Sequence, residues 1–403
     1  MNNLPEGWRR VSLREITVER ISKVGSLHQA PVLSSTKHHG LVPSDEYFKG
    51  RKIYSEDISN YKVVHKSWFA YATNHLAEGS IGLQESFEIA CVSPIYTVFS
   101  CTEGIIPRYL FRVLKSPELI TAYGVHEQAS VDRRGAVRYH DFGRITVNLP
   151  PKEEQLRIVS ILDTLDDLTE ATKAHIQGLQ RVKTGIFNEL LPWSPGDAAP
   201  ASWSLSSFES LTSAPICYGI VQAGPHHPGG VPVAMIRNLE SGLTGDLHRT
   251  NPSIDAGYSR SRVRENDVLV SIKGTIGRVA VTPKGFTGNI SRDVARLRPG
   301  KRVSSSFLAW LLATQAGQNL LSQAIVGTTR AEVSIGALQK LEIPMPTLSE
   351  QRRITSIAKA IEHRIETEED LAEKMITLRQ GLTKDLLTGQ VRASEAETML
   401  EDI

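Results

Sequence analysis

Two stretches of the chain carry apolar residues at a helical period for far longer than the rest. Residues 153–190 contain no proline, and Ile158, Leu165, Thr172, Leu179 and Ile186 fall seven apart, with Ile161, Leu168, His175, Val182 and Glu189 as a companion row. A second stretch repeats the pattern with Ile354, Ile361, Glu368, Met375 and Leu382, and a companion row of Ile357, Arg364, Leu371, Leu378 and Asp385. Two rows at a spacing of seven predict coiled-coil helices with apolar flanks and a polar middle. Pro150-Pro151 and Pro346 stop whatever precedes each helix. Pro192 and Gly389 follow the ends. Matched seams predict that the two helices pair with each other, antiparallel. His175 then faces Glu368 at the polar centre, Leu165 faces Leu378 and Val182 faces Ile361.

The remaining sequence reads as short strands between turns. Val268–Ile272 and Arg278–Val281 are β-branched runs around a glycine-containing turn, which predicts a hairpin. Similar runs occur at 231–236, 294–297 and 341–343, and at 61–64, 68–72, 95–99 and 145–149. Short helices are predicted over Ser305–Thr314 and Pro107–Lys115. Each globular part is therefore α+β, with a twisted and mostly antiparallel sheet.

The chain is also a tandem repeat. Pro150-Pro-Lys-Glu-Glu-Gln-Leu-Arg-Ile158 matches Pro346-Thr-Leu-Ser-Glu-Gln-Arg-Arg-Ile354, and the match runs without a gap to Leu190-Leu191 and Leu386-Leu387. Weaker matches precede it: Pro5-x-x-Trp8 with Pro200-x-x-Trp203, Glu78–Gly82 with Lys273–Gly277, and Arg134-x-x-Val137 with Arg330-x-x-Val333. One unit is a globular part of about 150 residues followed by a helix of about 40. The expected segments are 1–150, a helix over 151–192, 193–346, a second helix over 347–391 and a tail at 392–403.

Charge changes the picture by its distribution. The net charge is only +2. Residues 1–150 hold 18 basic against 15 acidic residues and 200–346 hold 15 against 9, whereas 151–199 hold 5 against 8 and 347–403 hold 8 against 12. Basic globular parts suit a polyanion, and acidic helices do not, so two jobs are split between two kinds of segment. The candidate polyanion contacts are Arg260, Arg262, Lys273, Arg278, Arg292 and Arg330 in the second copy, with Tyr218 for stacking or phosphate contact. In the first copy they are Lys62, Lys66, Arg133, Arg134 and Arg138. Arginine reads guanine edges with two donors, and either cation neutralises phosphate. Arg134 and Arg330 stand above the rest because the repeat places them alike. A helix of ~38 residues is ~57 Å long, more than one DNA turn of roughly 34 Å.

Catalytic motifs are missing. There is no GxxxxGK phosphate loop, no HExxH and no CxxC, and no lysine has an acidic residue two positions before it. Asn148-Leu-Pro-Pro151 lacks the order and aromatic of an Asn-Pro-Pro-Tyr/Phe methyltransferase motif. The His38-His39 and His226-His227 pairs read as exposed loops, and Gly79-Ser-Ile-Gly82 and Gly274-Thr-Ile-Gly277 as tight turns. Cys91, Cys101 and Cys217 are neither paired nor spaced for a metal, so each is expected as a core thiol in a reducing cytoplasm. Neither a secretion signal nor a membrane span is expected.

Taken together, these residues resemble the specificity subunit of type I restriction–modification systems. The resemblance rests on Leu4-Pro-Glu-Gly-Trp8, Gly230-Val-Pro232 with Ile236-Arg237, Asn266–Gly277, Asn289-Ile-Ser291 and the two Pro-x-x-x-Glu-Gln-x-x-Ile segments, in this order across nearly the whole chain. It implies two tandem target recognition domains, each reading one half of a bipartite double-stranded DNA site, held apart by an antiparallel coiled coil that sets the spacer. It implies a chain with no catalysis and no cofactor of its own. Two methyltransferase subunits using S-adenosylmethionine on adenine would dock on the helix segments, through Glu154, Gln155, Arg157, Glu350, Gln351 and Arg353. Restriction subunits using ATP and Mg would join them. A protein-only coiled-coil scaffold is the competing reading. The first copy departs from the pattern: Glu78 stands where the second has Lys273, and Pro94 where it has Arg292.

Overall fold

The computed structural model describes residues 4–25, 30–51, 53–128, 136–326 and 331–401. The chain packs into two units that cut across sequence order. One is Met1–Lys173 with Asp370–Ile403, the other Ala174–Glu369. The two long helices, Lys152–Leu190 and Leu348–Thr388, each give one half to each unit.

The duplication is visible in the strands. In the first unit a four-stranded sheet runs in the order Thr17–Arg20, Tyr96–Cys101, Phe69–Ala72, Ile81–Leu83. In the second the order is Cys217–Tyr218, Val294–Leu297, Val268–Ser271, Val279–Val281, so the expected hairpin closes that sheet. Both sheets are antiparallel. Each unit also pairs its first strand with the strand preceding a long helix: Arg9–Ser12 with Thr146–Leu149, and Ser204–Ser207 with Glu342–Met345. Among the described strands one pair is parallel, Val231–Ala234 beside Asn289–Ile290, and the isolated bridges Val32–Cys91 and Ile220–Ser291 are parallel too.

Alternation along these strands explains the cores. Phe69 and Phe99 stack at 4.8 Å in the first unit, next to Tyr71, Phe142 and Tyr123. Ile158, Leu162 and Leu165 pack there, as do Leu382 and Leu386. In the second unit Val268, Val270 and Leu297 meet Phe307 and Leu311, with Leu190, Ile354 and Ala358.

The helix halves run antiparallel within each unit. In the first, Arg379 pairs with Asp166, and Thr172 Oγ1 lies 3.8 Å from Met375 Sδ. In the second, Lys183 lies 3.4 Å from Glu362, and Gln180 donates to Glu369. The rows beginning at Ile158 and Ile354 face the seam as expected, but the companion rows are one residue further on. Leu162, Thr169 and Ile176 turn inward, as do Ala358, Ile365, Ala372 and Leu386. Leu168, Val182, Leu371 and Leu378 face out. The reason lies in the helix period of 3.6: a partner row can lie three or four residues on, and both were apolar here. His175 is consequently exposed, because Ile176 takes its place, and the expected His175–Glu368 centre is corrected. Glu368 is mostly buried and pairs with Arg364 on its own helix. A cysteine pair at Thr172 and Met375 is therefore expected to cross-link on mild oxidation, and one at Leu165 and Leu378 is not.

The segment expected as a tail forms a helix, Ala393–Glu401, that seats Ala393 and Ala396 in the first core. Cys91 and Cys217 are buried, Cys101 is half-buried, and all three are free. Burial pushes the Cys91 thiol up to about 11 and that of Cys101 to about 12, so both stay protonated at neutral pH.

Candidate nucleic-acid interface

Three distant segments converge in the second unit. Gly219 lies flat against Ile290; a β-carbon on it would stand 1.8 Å from the Ile290 carbonyl oxygen. That approach lets the Gly219 amide donate to Ser291 O at 3.2 Å and the Ile220 amide to Ile290 O at 2.8 Å. The Arg292 amide returns to Ile220 O, and the Ser291 amide to Ala234 O, both at 2.9 Å. The result is a cleft of about 570 Å³ walled by Ile220–Ala223, Met235–Arg237 and Ser291–Asp293.

The cleft's chemistry is that of a polar ligand seat. Arg237 and Arg292 are exposed, and Arg292 lies 3.5 Å from Asp293. Ser291 Oγ is buried with no hydrogen-bond partner among the described residues. Gln222 is exposed on the rim. Two guanidinium forks, an amide and a hydroxyl can meet phosphate oxygens or base edges. Behind it, buried Asn289 donates to Asp255 Oδ1 at 2.8 Å and accepts from Ser261 Oγ at 2.7 Å, which locks the strand that carries Ser291. Arg237, Gln222 and Ser291 were not among the candidate contacts. Ile236-Arg237 and Asn289-Ile-Ser291 stood out as motifs, but only folding joins them.

The other candidates are scattered among different tasks. Arg262 Nε donates to buried Asp255 at 2.7 Å, so it also braces Asn289. Lys273 pairs with Glu332 at 2.9 Å and Arg278 with Glu240 at 2.9 Å. Such exposed pairs are weak and can be exchanged for phosphate. Tyr218 and Arg260 are exposed beside a second cavity. In the first unit Lys62 is half-buried and donates to Tyr96 O at 2.5 Å, and burial lowers its pKa. Lys66 is exposed and pairs with Glu88 at 3.1 Å. Arg138 is exposed at the entry to the helix Tyr139–Phe142. Arg133, Arg134 and Arg330 lie outside the described residues.

Both glutamines of the repeated Glu-Gln motif face inward, as does Glu154 in the first copy. Gln155 accepts from the Ile106 amide at 2.9 Å and donates to Pro150 O at 3.0 Å. Gln351 accepts from the Ser304 amide at 2.8 Å and donates to Pro346 O at 3.0 Å. Each glutamine thus ties the start of a long helix to the start of a core helix, Pro107–Leu114 or Ser305–Ala313. Glu154 is buried and accepts from Trp8 Nε1 at 3.0 Å and from Arg392 at 2.7 and 2.8 Å. Arg157 is exposed and pairs with Glu397, and Glu350 pairs with Arg353 on its own helix. Four of the six residues expected at a partner interface, Glu154, Gln155, Arg157 and Gln351, therefore bond to distant parts of the chain itself.

Residues 31–181 and 228–375 match the type I restriction modification DNA specificity domain, once in each copy of the repeat. The chain belongs to this family. It is 29% identical over 232 residues to the EcoBI specificity subunit of Escherichia coli, a match over 51% of this chain and about half, 49%, of that protein. It is 23% identical over 302 residues to a putative MjaX specificity subunit of Methanocaldococcus jannaschii, covering 72% of this chain and 69% of that one. Among solved structures, a chain from work on complex assembly and conformational transition of the type I R-M system aligns with a TM-score of 0.61 at 18% identity, over 97% of this chain and 100% of that one. The HsdS subunit from Thermoanaerobacter tengcongensis aligns with a TM-score of 0.56 at 21% identity, over 96% and 98%. These two show the shared fold. The family match includes the cleft walls at 235–237 and 291–293, while the wall at 220–223 precedes the second matched stretch.

Proposed function

We propose that this chain is the DNA-reading specificity subunit of a type I restriction–modification complex. Each copy of the repeat reads one half of a bipartite double-stranded site, and the helices hold two methyltransferase subunits. The cleft of the second unit carries the reading. It presents Arg237 and Arg292 above a buried Ser291 hydroxyl that has no hydrogen-bond partner among the described residues, at the point where the family's motif fragments meet. Phosphate contacts hold the complex, and base contacts choose the site. Arg134 and Arg330 remain proposed contacts, as do Arg260, Lys273 and Arg278.

Two features support docking of equal protein partners. Leu168, Leu371 and Leu378 in one unit and Val182 in the other leave apolar surface on the outer helix rows. Each unit also has a cavity beside the C-terminal end of a long helix. One, of about 460 Å³, is lined by Lys183, Phe187, Leu191, Trp310 and Thr314. The other, of about 560 Å³, is lined by Arg379, Thr383, Leu387, Arg112 and Ser116, the repeat counterparts of those positions. Catalysis belongs to the partners: methyl transfer from S-adenosylmethionine to adenine, and cleavage by restriction subunits with ATP and Mg. Among the described residues no His/Cys/Asp/Glu cluster suits a metal, and no helix is long and apolar enough to cross a membrane. The proposed setting is the cytoplasm.

The test is selection of duplexes from a random pool by the full chain with its methyltransferase partner. Enrichment of a two-part motif with an unread gap is expected. A single ungapped motif would remove the two-reader assignment.

A further inference from the structure

Arg296 occupies an unusual place for a cation. It lies on Val294–Leu297, an inner strand of the second unit's sheet, opposite Cys217 on one side and Leu269 on the other. Alternation puts Ala295 and Leu297 into the main core, while Arg296 faces the opposite side. The residue is 3% exposed. Its Nη2 donates to Pro215 O at 2.8 Å and its Nη1 to Arg262 O at 3.3 Å. Its Nε is buried with no acceptor among the described residues.

Among the described residues no carboxylate bonds to it directly. The carboxylate nearby, Asp267, is buried and held by both Nε and Nη2 of Arg298 at 2.8 Å, and it also accepts from the Arg264 amide at 2.9 Å. Two guanidiniums therefore share one carboxylate whose hydrogen-bonding capacity goes to the other arginine. A buried charge left in this state is costly, and it calls for an anion from outside. Burial pulls the Arg296 pKa downward, in line with that shortage.

The opening for such an anion is present. A cavity of about 320 Å³ beside Arg296 is lined by Pro215, Ile216, Cys217, Tyr218, Arg260 and Ile335. Tyr218 and Arg260 are exposed on its wall and bring a phenol and a second guanidinium. Planar guanidinium forks with a hydroxyl donor match phosphate oxygens. The same chain segment continues into Ile220–Ala223, which walls the reading cleft.

We propose that Arg296, Arg260 and Tyr218 seat one phosphodiester of duplex DNA and so fix the register of the strand read in the adjoining cleft. This rests on the DNA-reading function proposed above. Non-specific affinity depends on phosphate contacts, so no target sequence is needed to test it.

The test is anisotropy of a labelled generic duplex with the full chain across a salt series. Arg260→Gln, Tyr218→Phe and Arg296→Met are compared with wild type. Arg260→Gln is expected to weaken binding about tenfold at low salt and to lower the slope of log affinity against log salt by about one. Adding Arg296→Met should lower the slope no further, because both arginines hold one phosphate. Arg260 and Tyr218 are exposed, so their variants report even where Arg296→Met fails to fold. Wild-type binding with unchanged slopes in Arg260→Gln and Tyr218→Phe overturns the phosphate seat and leaves DNA reading standing. A wild-type chain that binds no duplex overturns both. Thermal stabilisation by inorganic phosphate at constant ionic strength, with DNA affinity unchanged in the variants, marks a free-anion site and also overturns the proposal.

Discussion

Gly219→Ala is expected to unfold the reading cleft and abolish DNA binding, with a stability loss of about 3 kcal/mol in the second unit. The added β-carbon would sit 1.8 Å from the Ile290 carbonyl oxygen and 2.4 Å from its carbon. Both are backbone atoms, so no side chain can turn away to relieve the clash. The two strands must part, which breaks the hydrogen bonds from Gly219 and Ile220 to Ser291 and Ile290. Two such bonds at about 1–1.5 kcal/mol each give the expected loss. For a unit of this size that is a fall of roughly 6–12 °C in its melting transition. Gly336→Ala is the control. Nothing lies within 4 Å of a β-carbon there, and Gly336 sits inside the helix Ile335–Lys340. It should be neutral or stabilising by about 0.5–1 kcal/mol. A Gly219→Ala protein that melts like wild type would show that the close approach is not needed.

Glu154→Gln carries the second large effect, about 2 kcal/mol, confined to the first unit, because Glu154 is buried while Arg392 stays partly in water. Its carboxylate is buried and joins three parts of the chain: Trp8 near the start, the first long helix, and Arg392 at the start of the final helix. Losing the charge takes from half-exposed Arg392 the carboxylate that holds it and leaves the buried Trp8 indole with a weaker acceptor. Limited proteolysis should then cut both terminal segments faster. Glu350→Gln should cost under about 1 kcal/mol, because the Glu350 carboxylate pairs with Arg353 on the same exposed helix face. The pH dependence has a definite sign. Burial raises the Glu154 pKa, but the hydrogen bonds from Arg392 and Trp8 outweigh it, so the folded value lies below the ordinary one. Its contribution is present above the unfolded value and is lost as the pH falls through the folded value. The difference between wild type and Glu154→Gln should therefore shrink below about pH 4. A difference that stays constant down to pH 2 would remove the carboxylate from this role.

Periodic features were legible in the sequence because they repeat locally. The two long helices, the hairpin at Val268–Val281 and the duplication all follow from spacing. What spacing could not decide was which of two adjacent apolar rows faces the seam. Leu168 and Leu378 read as seam residues, and the packing turned Leu162 and Ala358 inward instead. The site was less legible. Gly219, Arg237 and Arg292 lie far apart in sequence, and only the parallel strand pair and the close Gly219–Ile290 approach assemble them. Arg296 was not singled out in the sequence, where 294–297 reads only as a short apolar run. The Glu-Gln motif stood out by repetition, yet repetition alone does not separate a fastening inside the chain from a contact outside it.

The central claim is that this chain chooses where its complex acts on DNA. Genome-wide adenine methylation, read by long-read sequencing in cells that express the partner methyltransferase with and without this chain, tests it most directly. The expected result is that one gapped, two-part motif loses methylation when the chain is absent. An unchanged methylation map would contradict it.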